Sequence, residues 1–328
     1  MASVVIDVHT HMLNKEWLAL LDQYGSPRYK IETVKGGLKA IHLDGAPFMT
    51  PVPPMFDYEL RIANMTKAGV DIAIVSLTCP NVFWGGAEVS LRAARIMNDD
   101  MAKAQQQWPE RIRWFASLPW QYEDLAIREL DRACAGGAVG VMVLANIDGK
   151  ALTDTSFKKI WSEIDRRALP VLVHPTAPPG VGEMAMHEFQ LTAPIGFIFD
   201  TSLAVARCIY DGFFDRYPGL KLIAAHGGGA LPYLIGRMDI CWRNIPAAAA
   251  KTRKPPSEYM RSIYVDTVVF RQDAVEMCVS VCGEDNVLYG SDYPHTIGDM
   301  AGCLSRVNNL GKAKNKVRGG NARRIFRL

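Results

Sequence analysis

The sequence predicts an α/β fold: a (β/α)8 TIM barrel with insertions after strands 1 and 5. Short apolar runs alternate with amphipathic segments along the whole chain, and eight such runs are present. Continuous apolar runs suit strands that are covered on both faces, as in a parallel sheet. The length of 328 residues is ordinary for one barrel with insertions, so we expect a single domain over residues 1–328.

The eight predicted strands are rich in β-branched residues. In chain order they span residues 4–8, 71–77, 112–118, 138–144, 170–174, 220–226, 263–267 and 286–290. Amphipathic helices are predicted between them, at residues 90–107, 123–135, 156–167, 204–216 and 272–281. A doubly wound open sheet is the alternative, but no glycine-rich nucleotide-binding turn follows the first strand. The alternation therefore favours the barrel.

Two proline-rich segments interrupt the alternation, and both are predicted to be loop insertions. Residues 24–56 follow the first strand, and residues 176–200 follow the fifth. In barrel enzymes the active site lies at the carboxyl ends of the strands, where these segments leave. We expect them to form the walls or lid of a substrate pocket.

Composition excludes several classes of function. The 37 basic and 34 acidic residues are scattered, and the net charge is only +3, so no nucleic acid partner is predicted. No signal-peptide pattern and no apolar stretch near the roughly 18–20 residues of a membrane span are found, which predicts a cytoplasmic protein without membrane contact. The seven cysteines lack zinc-clamp spacing and are expected to be buried free thiols.

Metal-binding side chains recur at the ends of the predicted strands. His9 and His11 end the first strand, and residues two apart in extended chain face the same side. His174 ends the fifth strand, His226 ends the sixth, and Asp292 follows the eighth. Taken singly, these residues are weak evidence, because each histidine is also explained as a packed core residue and Asp292 as a turn-former. Together at one rim, imidazoles and a carboxylate indicate a catalytic metal site.

These motifs resemble the amidohydrolase superfamily, in particular its branch of metal-dependent decarboxylases that includes 2-amino-3-carboxymuconate-6-semialdehyde decarboxylase. The resemblance covers nearly the whole chain and includes Ile6-Asp-Val-His-Thr-His, Leu172-Val-His-Pro, His226-Gly-Gly-Gly and Gly290-Ser-Asp-Tyr-Pro. It implies one divalent metal, Zn2+ with Mn2+ as the alternative. The implied metal ligands are His9, His11, His174 and Asp292. The fourth strand lacks the lysine or glutamate of the superfamily's two-metal sites.

The reaction that the resemblance implies is non-oxidative decarboxylation of a small aromatic or muconate-type carboxylic acid, in the catabolism of aromatic compounds. His226 would be the proton shuttle beside the metal, with Asp292 also in the catalytic set. A hydrolase or hydratase on the same scaffold, such as a lactonase, is the alternative, because His226 would serve either chemistry. A non-enzymatic binding barrel is a second alternative and conflicts with the complete ligand set.

Five residues are candidates for binding the substrate. The resemblance implies a homodimer in which Arg237 reaches the neighbouring active site and binds a carboxylate in bidentate fashion. A surface or interface salt bridge is the alternative interpretation of Arg237. For Arg243, which follows Trp242, the alternative is an arginine stacked on an aromatic ring. Met49 stands where relatives have a second carboxylate-binding arginine, which argues against the same substrate. His295 stands where relatives are usually apolar, and Trp84 is either a ring-stacking wall or a core residue.

Overall fold

The computed structural model describes residues 4–34 and 37–328. Residues 1–3 of the predicted domain and residues 35–36 of the first predicted insertion lie outside the described residues. The strands are β1 Ile6–His11, β2 Tyr29–Thr33, β3 Lys39–Leu43, β4 Ala46–Met49, β5 Ile72–Ser76, β6 Ile112–Ala116, β7 Gly140–Leu144, β8 Asn146–Ile147, β9 Lys150–Ala151, β10 Pro170–His174, β11 Lys221–Ala224 and β12 Tyr264–Val265.

Helices lie between these strands and after the last of them along the chain. They are α1 Lys15–Tyr24, α2 Tyr58–Ala68, α3 Gly86–Gln107, α4 Glu123–Ala135, α5 Lys158–Arg167, α6 Phe197–Tyr210, α7 Phe213–Arg216, α8 Ala225–Gly228, α9 Leu231–Asn244, α10 Pro246–Ala249, α11 Pro256–Met260, α12 Gln272–Cys282, α13 Met300–Asn308 and α14 Asn321–Phe326.

Within the described residues, the main sheet contains seven parallel strands in the order β1, β5, β6, β7, β10, β11 and β12. The segment 286–290 joins its two edges. The Leu288 N–H donates to the Val265 carbonyl of β12 (2.9 Å), and the Val8 N–H of β1 donates to the Tyr289 carbonyl (3.0 Å). The predicted eighth strand is therefore an irregular segment, because it makes too few ladder bonds to count as a strand.

Several predicted element bounds differ from the structure. The predicted strand 220–226 ends at Ala224 in β11, because the following residues turn sharply into the short α8. The predicted helix 204–216 is divided into α6 and α7 at Gly212, whose φ is +68°. A Cβ there would lie 2.3 Å from the Lys251 carbonyl oxygen, so the break depends on glycine at that position.

The expectation that residues 24–56 are loop-like is wrong for their described part. They contain an antiparallel sheet in the order β2, β3, β4. In this sheet Ile31 pairs with Ile41, and Ile41 pairs with Met49. The loop was predicted because the segment is rich in proline. Pro47 nevertheless lies in β4, because β4 is an edge strand and the missing N–H of a proline is tolerated there.

The segment 176–200 contains turns and short helical segments before α6 begins at Phe197. Phe197 packs edge-to-face on Phe48 of β4, with ring centroids 6.0 Å apart. The two segments that were predicted as insertions therefore contact each other.

The helical run Glu188–Tyr210 is apolar and long enough by composition to cross a membrane, with mean hydropathy 1.3. No such segment is predicted from the sequence. Its Asp200 is buried and accepts hydrogen bonds from the Asn146 side chain (3.0 Å) and the Thr176 N–H (3.0 Å). The run is thus anchored to the barrel by a buried carboxylate, and its composition alone is weak evidence for a membrane span.

The seven cysteines of the described residues are unpaired, and five are buried.

Candidate metal centre

Three of the predicted ligands meet at the carboxyl end of β1. Nε2 of His9 and Nε2 of His11 lie 3.4 Å and 3.2 Å from the same Asp292 oxygen, Oδ1. The two nitrogens are 3.1 Å apart. All three side chains are buried. Two imidazole nitrogens directed at one carboxylate oxygen form the kind of arrangement that ligands take around a shared ion.

His174 and His226 complete the cluster. The His174 ring centroid lies 5.1 Å from that of His9 and 4.8 Å from that of His11. Nε2 of His226 is 3.7 Å from Oδ2 of Asp292. The structure thus brings together all five residues that were singled out at the predicted strand ends.

The donor set fits a divalent cation. Among the described residues, Oδ1 of Asp292 is buried without a hydrogen-bond partner, and such an orphaned anion is costly unless a cation satisfies it. Ligand atoms of His9, His174, His226 and Asp292 lie within 4.8 Å of one another. A second group joins His11 and Asp292 to His295. By distance alone, His226 is therefore as close to the centre as the predicted ligands.

The outer ring nitrogens of three histidines are fixed by hydrogen bonds. Nδ1 of His174 lies 2.8 Å from the Pro175 carbonyl oxygen. Because a carbonyl can only accept, that Nδ1 carries the proton and Nε2 keeps its lone pair for an ion. Nδ1 of His9 lies 2.6 Å from the Asp266 carboxylate, and Nδ1 of His11 lies 3.1 Å from Oγ of Ser76. These contacts direct Nε2 of each ring to the centre.

Asp266 is a residue of the site for which no role is predicted from the sequence. Besides His9, its carboxylate accepts hydrogen bonds from the backbone N–H groups of His226 (3.0 Å) and Gly227 (2.9 Å). It is fully buried just after β12. The sequence feature that could have indicated Asp266 is its position as an acidic residue inside the apolar run 263–267. Asp266 joins the first strand end to the turn that carries His226.

That turn has an unusual backbone. His226 has φ of +55°, Gly227 has +66°, and Asp292 on the other side of the centre has +57°. Left-handed backbone at non-glycine residues costs on the order of 1–3 kcal/mol and persists where surrounding contacts impose it. The two backbone bonds to Asp266 supply such contacts for His226. A Cβ on Gly227 would lie 2.4 Å from the Val269 side chain, so only glycine fits there.

Arg61 is a second residue without a predicted role. It is fully buried on α2. Its guanidinium donates to Oγ1 of Thr10 (2.6 Å) and to the His11 carbonyl, and it lies over the Tyr293 ring at 4.8 Å. Arg61 therefore holds the segment His9–His11 against Tyr293, the residue that follows Asp292.

The electrostatics of the cluster favour neutral His11 and His174 around an ionised Asp292, and a protonated His9. Burial lowers the pKa of His174 well below its usual value and that of His11 to about 3. Burial alone would raise the pKa of Asp292, but His295 and the other imidazoles hold it well below its usual value. Burial would likewise lower the pKa of His9, but the Asp266 carboxylate raises it to about 10. A metal bound at Nε2 of His9 would displace that proton.

The residues predicted to bind substrate are placed differently from one another. His295 lies beside the centre, with Nε2 3.0 Å from Oγ1 of Thr78 and its ring 5.1 Å from that of His11. Trp84 is buried and donates its indole N–H to the Asn81 carbonyl (2.9 Å), as a core tryptophan would.

Met49 is buried at the end of β4. Arg237 and Arg243 are exposed on α9, and no hydrogen bond or ion pair to either is found among residues 4–34 and 37–328. A single chain therefore does not bring these two arginines into contact with the cluster.

Residues 6–328 match the amidohydrolase family. The chain belongs to this family. It is 31% identical to 2-amino-3-carboxymuconate-6-semialdehyde decarboxylase of Dictyostelium discoideum over 98% of this chain and 90% of that protein. The crystal structure of 5-carboxyvanillate decarboxylase from Sphingomonas paucimobilis superposes with a TM-score of 0.86 and 27% identity, covering 100% of both chains.

A third similar structure, dihydroxybenzoic acid decarboxylase from Polaromonas sp. JS666, contains manganese and the inhibitor 2-nitroresorcinol. It is 25% identical with a TM-score of 0.78, covering 100% of this chain and 98% of that one. These relatives confirm the predicted resemblance, the barrel class and the predicted reaction class, a decarboxylase, and they do not favour the hydrolase alternative. Zinc rather than manganese stays a prediction.

Proposed function

We propose that this decarboxylase releases CO2 from a small aromatic carboxylic acid and uses one divalent metal. The observation that carries the proposal is the position of His226. Its Nε2 is 3.7 Å from Oδ2 of Asp292, and its buried Nδ1 has no hydrogen-bond partner among the described residues. A histidine held beside a metal-binding carboxylate, with a free ring nitrogen, is suited to move a proton.

The ligands of the proposed metal are His9, His11, His174 and Asp292, with Zn2+ as the expected ion and Mn2+ as the alternative. A divalent ion bound there would polarise and orient the acid. His226 donates a proton to the ring carbon that carries the carboxylate. The bond from that carbon to the carboxylate then breaks, its electron pair returns to the ring, and CO2 leaves. Asp292 holds the imidazole beside the reacting carbon.

The proposed substrate contacts involve a homodimer. Arg237 is exposed on α9 between Tyr233 and Ile240, whose exposed fractions are 79% and 54%. Large apolar side chains beside an unpaired guanidinium are typical of a protein interface. In the dimer Arg237 binds the carboxylate in the neighbouring site, with Arg243 as a second candidate on the same helix.

Met49, Trp84 and His295 are proposed to line the substrate pocket within one chain.

The proposed single domain of residues 1–328 is supported by one continuous cluster of buried apolar residues that runs from Val5 to Phe326. A cytoplasmic location stays a prediction.

A mass-balance assay tests the reaction. The metal-loaded enzyme is incubated with a panel of hydroxybenzoic acids, and released CO2 and product mass are measured together. We expect one equivalent of CO2 per equivalent of acid consumed and a product that is lighter than the acid by the mass of CO2. The His174→Ala variant is the control for metal-dependent turnover. Products that have gained water without releasing CO2 would contradict the proposal and favour the hydratase alternative.

A further inference from the structure

His295 lies where the candidate metal centre opens toward solvent. Of the six side chains that meet at this centre, five are buried and His295 is partly exposed. A ring nitrogen of His295 lies within 4.8 Å of ligand atoms of His11 and of Asp292. Because metal–ligand bonds are about 2 Å long, this nitrogen is within about 7 Å of an ion held by the cluster. An acid that enters from solvent and binds that ion therefore comes to lie beside the His295 ring.

Backbone and side-chain contacts hold the His295 ring in place. The His295 N–H donates to the Asp292 carbonyl (3.1 Å), and the His295 carbonyl accepts from the Gly298 N–H (2.8 Å). The ring packs edge-to-face on that of His11, with centroids 5.1 Å apart. Nε2 lies 3.0 Å from Oγ1 of Thr78, which is fully buried just after β5. A side chain held on several sides presents a fixed hydrogen-bonding atom to a ligand.

The contact with Thr78 determines which nitrogen of His295 carries the proton. The Thr78 hydroxyl donates its one proton to Sγ of Cys79 (3.8 Å). Oγ1 of Thr78 then accepts from Nε2 of His295, so Nε2 is the donor in the 3.0 Å contact. Beside a bound divalent ion a second positive charge is disfavoured, so the ring is neutral and Nδ1 keeps its lone pair.

Nδ1 of His295 is open to a ligand. No hydrogen-bond partner of Nδ1 is found among the described residues, and Nδ1 is not one of their buried unpartnered atoms. A hydroxyl or amino group on the acid can donate to this nitrogen. A methoxy oxygen has no proton to donate, and a methyl group would cover Nδ1 and remove it from water without a partner. Loss of hydration without a replacement hydrogen bond is unfavourable.

We propose that His295 is a specificity-determining residue, whose Nδ1 accepts a hydrogen bond from a hydroxyl or amino substituent on the ring of the acid. This proposal rests on the proposed function and narrows its substrate class to aromatic acids that carry such a donor. Thr78 is a positioning residue that acts through His295, because its hydroxyl fixes the tautomer of the imidazole.

The experiment compares 2-hydroxybenzoates that carry a second substituent, either hydroxyl, methoxy or methyl, at each of the other ring positions in turn. The metal-loaded enzyme is assayed by CO2 release, and dissociation constants from calorimetry replace kcat/KM for acids that react too slowly. At one ring position we expect the wild-type enzyme to prefer hydroxyl to both methoxy and methyl by about tenfold, the effect of one hydrogen bond. The preference should appear in KM, because the bound acid and the transition state both make this bond.

Two substitutions separate the roles of His295 and Thr78. His295→Phe keeps a planar ring without nitrogen, so the preference for hydroxyl over both other substituents should disappear. Thr78→Val keeps the shape of threonine but frees the tautomer of His295. Nδ1 can then also donate, and it can bond to a methoxy oxygen. In Thr78→Val the hydroxyl-to-methoxy ratio should therefore fall several-fold, while the hydroxyl-to-methyl ratio stays at the wild-type value.

Thr201→Val is the matched control for Thr78→Val. Thr201 is also fully buried, its hydroxyl has no partner within the described part of the chain, and it lies on α6. His187→Phe, at an exposed histidine, is the control for His295→Phe. Both controls should keep the wild-type ratios. Circular dichroism checks the folding of each variant, and elemental analysis checks its metal content.

The outcomes distinguish this proposal from the proposed function. Loss of the metal in folded His295→Phe would make His295 a ligand and overturn the proposal. An equal fall in kcat for every acid, with unchanged ratios, would make His295 the proton donor and overturn it as well. Equal wild-type preference for hydroxyl and methoxy at every ring position also overturns it, and all three results leave the decarboxylase assignment standing. If the acids take up water without releasing CO2, or none of them binds or reacts, the proposed function fails and this proposal fails with it.

Discussion

Replacement of His226 by asparagine removes the proposed proton shuttle and little else. The hydrogen bonds to Asp266 come from the backbone N–H groups of His226 and Gly227, so the variant keeps both. Asparagine tolerates left-handed backbone better than most residues, so the φ of +55° at position 226 remains accessible. The variant therefore loses the imidazole, whose Nε2 lies 3.7 Å from Asp292, without losing the turn.

The expected loss of activity follows from the role of the imidazole. General acid–base catalysis contributes about 10²–10⁴-fold, so kcat of His226→Asn should fall by that factor while metal content per chain stays at the wild-type value. Steady-state CO2 release and elemental analysis of the same preparation measure both. His187→Asn, at an exposed histidine of the segment 176–200, is the matched control and should retain both activity and metal.

Two results would refute this reasoning. Loss of the metal in His226→Asn would make His226 a ligand, which its distance to the cluster also allows. Nearly full activity would mean that the proton comes from elsewhere, and His295 would then be tested by the same substitution.

Three further predictions concern the ligands, the dimer and the support of the site. Protein purified without added metal should contain close to one divalent ion per chain by elemental analysis, and His9→Ala or Asp292→Ala should lose both metal and activity; a value near two would contradict the mononuclear site. Inactive Arg237→Ala and His174→Ala subunits should regain partial activity after mixing and exchange, whereas full activity in a strictly monomeric protein would exclude the shared site. Asp266→Asn, which removes the charge behind His9, should weaken metal affinity by about 10–100-fold in a chelator competition assay; unchanged affinity would reduce Asp266 to a turn-forming residue.

The proposed metal ligands could be located from the sequence because two simple rules of strand geometry place them. Side chains two apart in a strand share a face, so His9 and His11 were expected to converge. Parallel strands place their carboxyl ends at one edge, which brings His174, His226 and Asp292 to the same mouth. Neither rule needs knowledge of side-chain packing, and the structure brings all five together.

Only the tertiary structure decided which residues hold those ligands in place. Asp266 contacts His9 across 257 residues of chain, and Arg61 contacts Thr10 across 51; no local pattern reports such pairs. The sheet β2–β4 was also hidden, because edge strands tolerate the prolines that mark loops elsewhere. Local periodicity thus determined the strand ends and the side chains they present, whereas contacts between distant segments, which depend on how the barrel closes, determined the orientation and charge of the site.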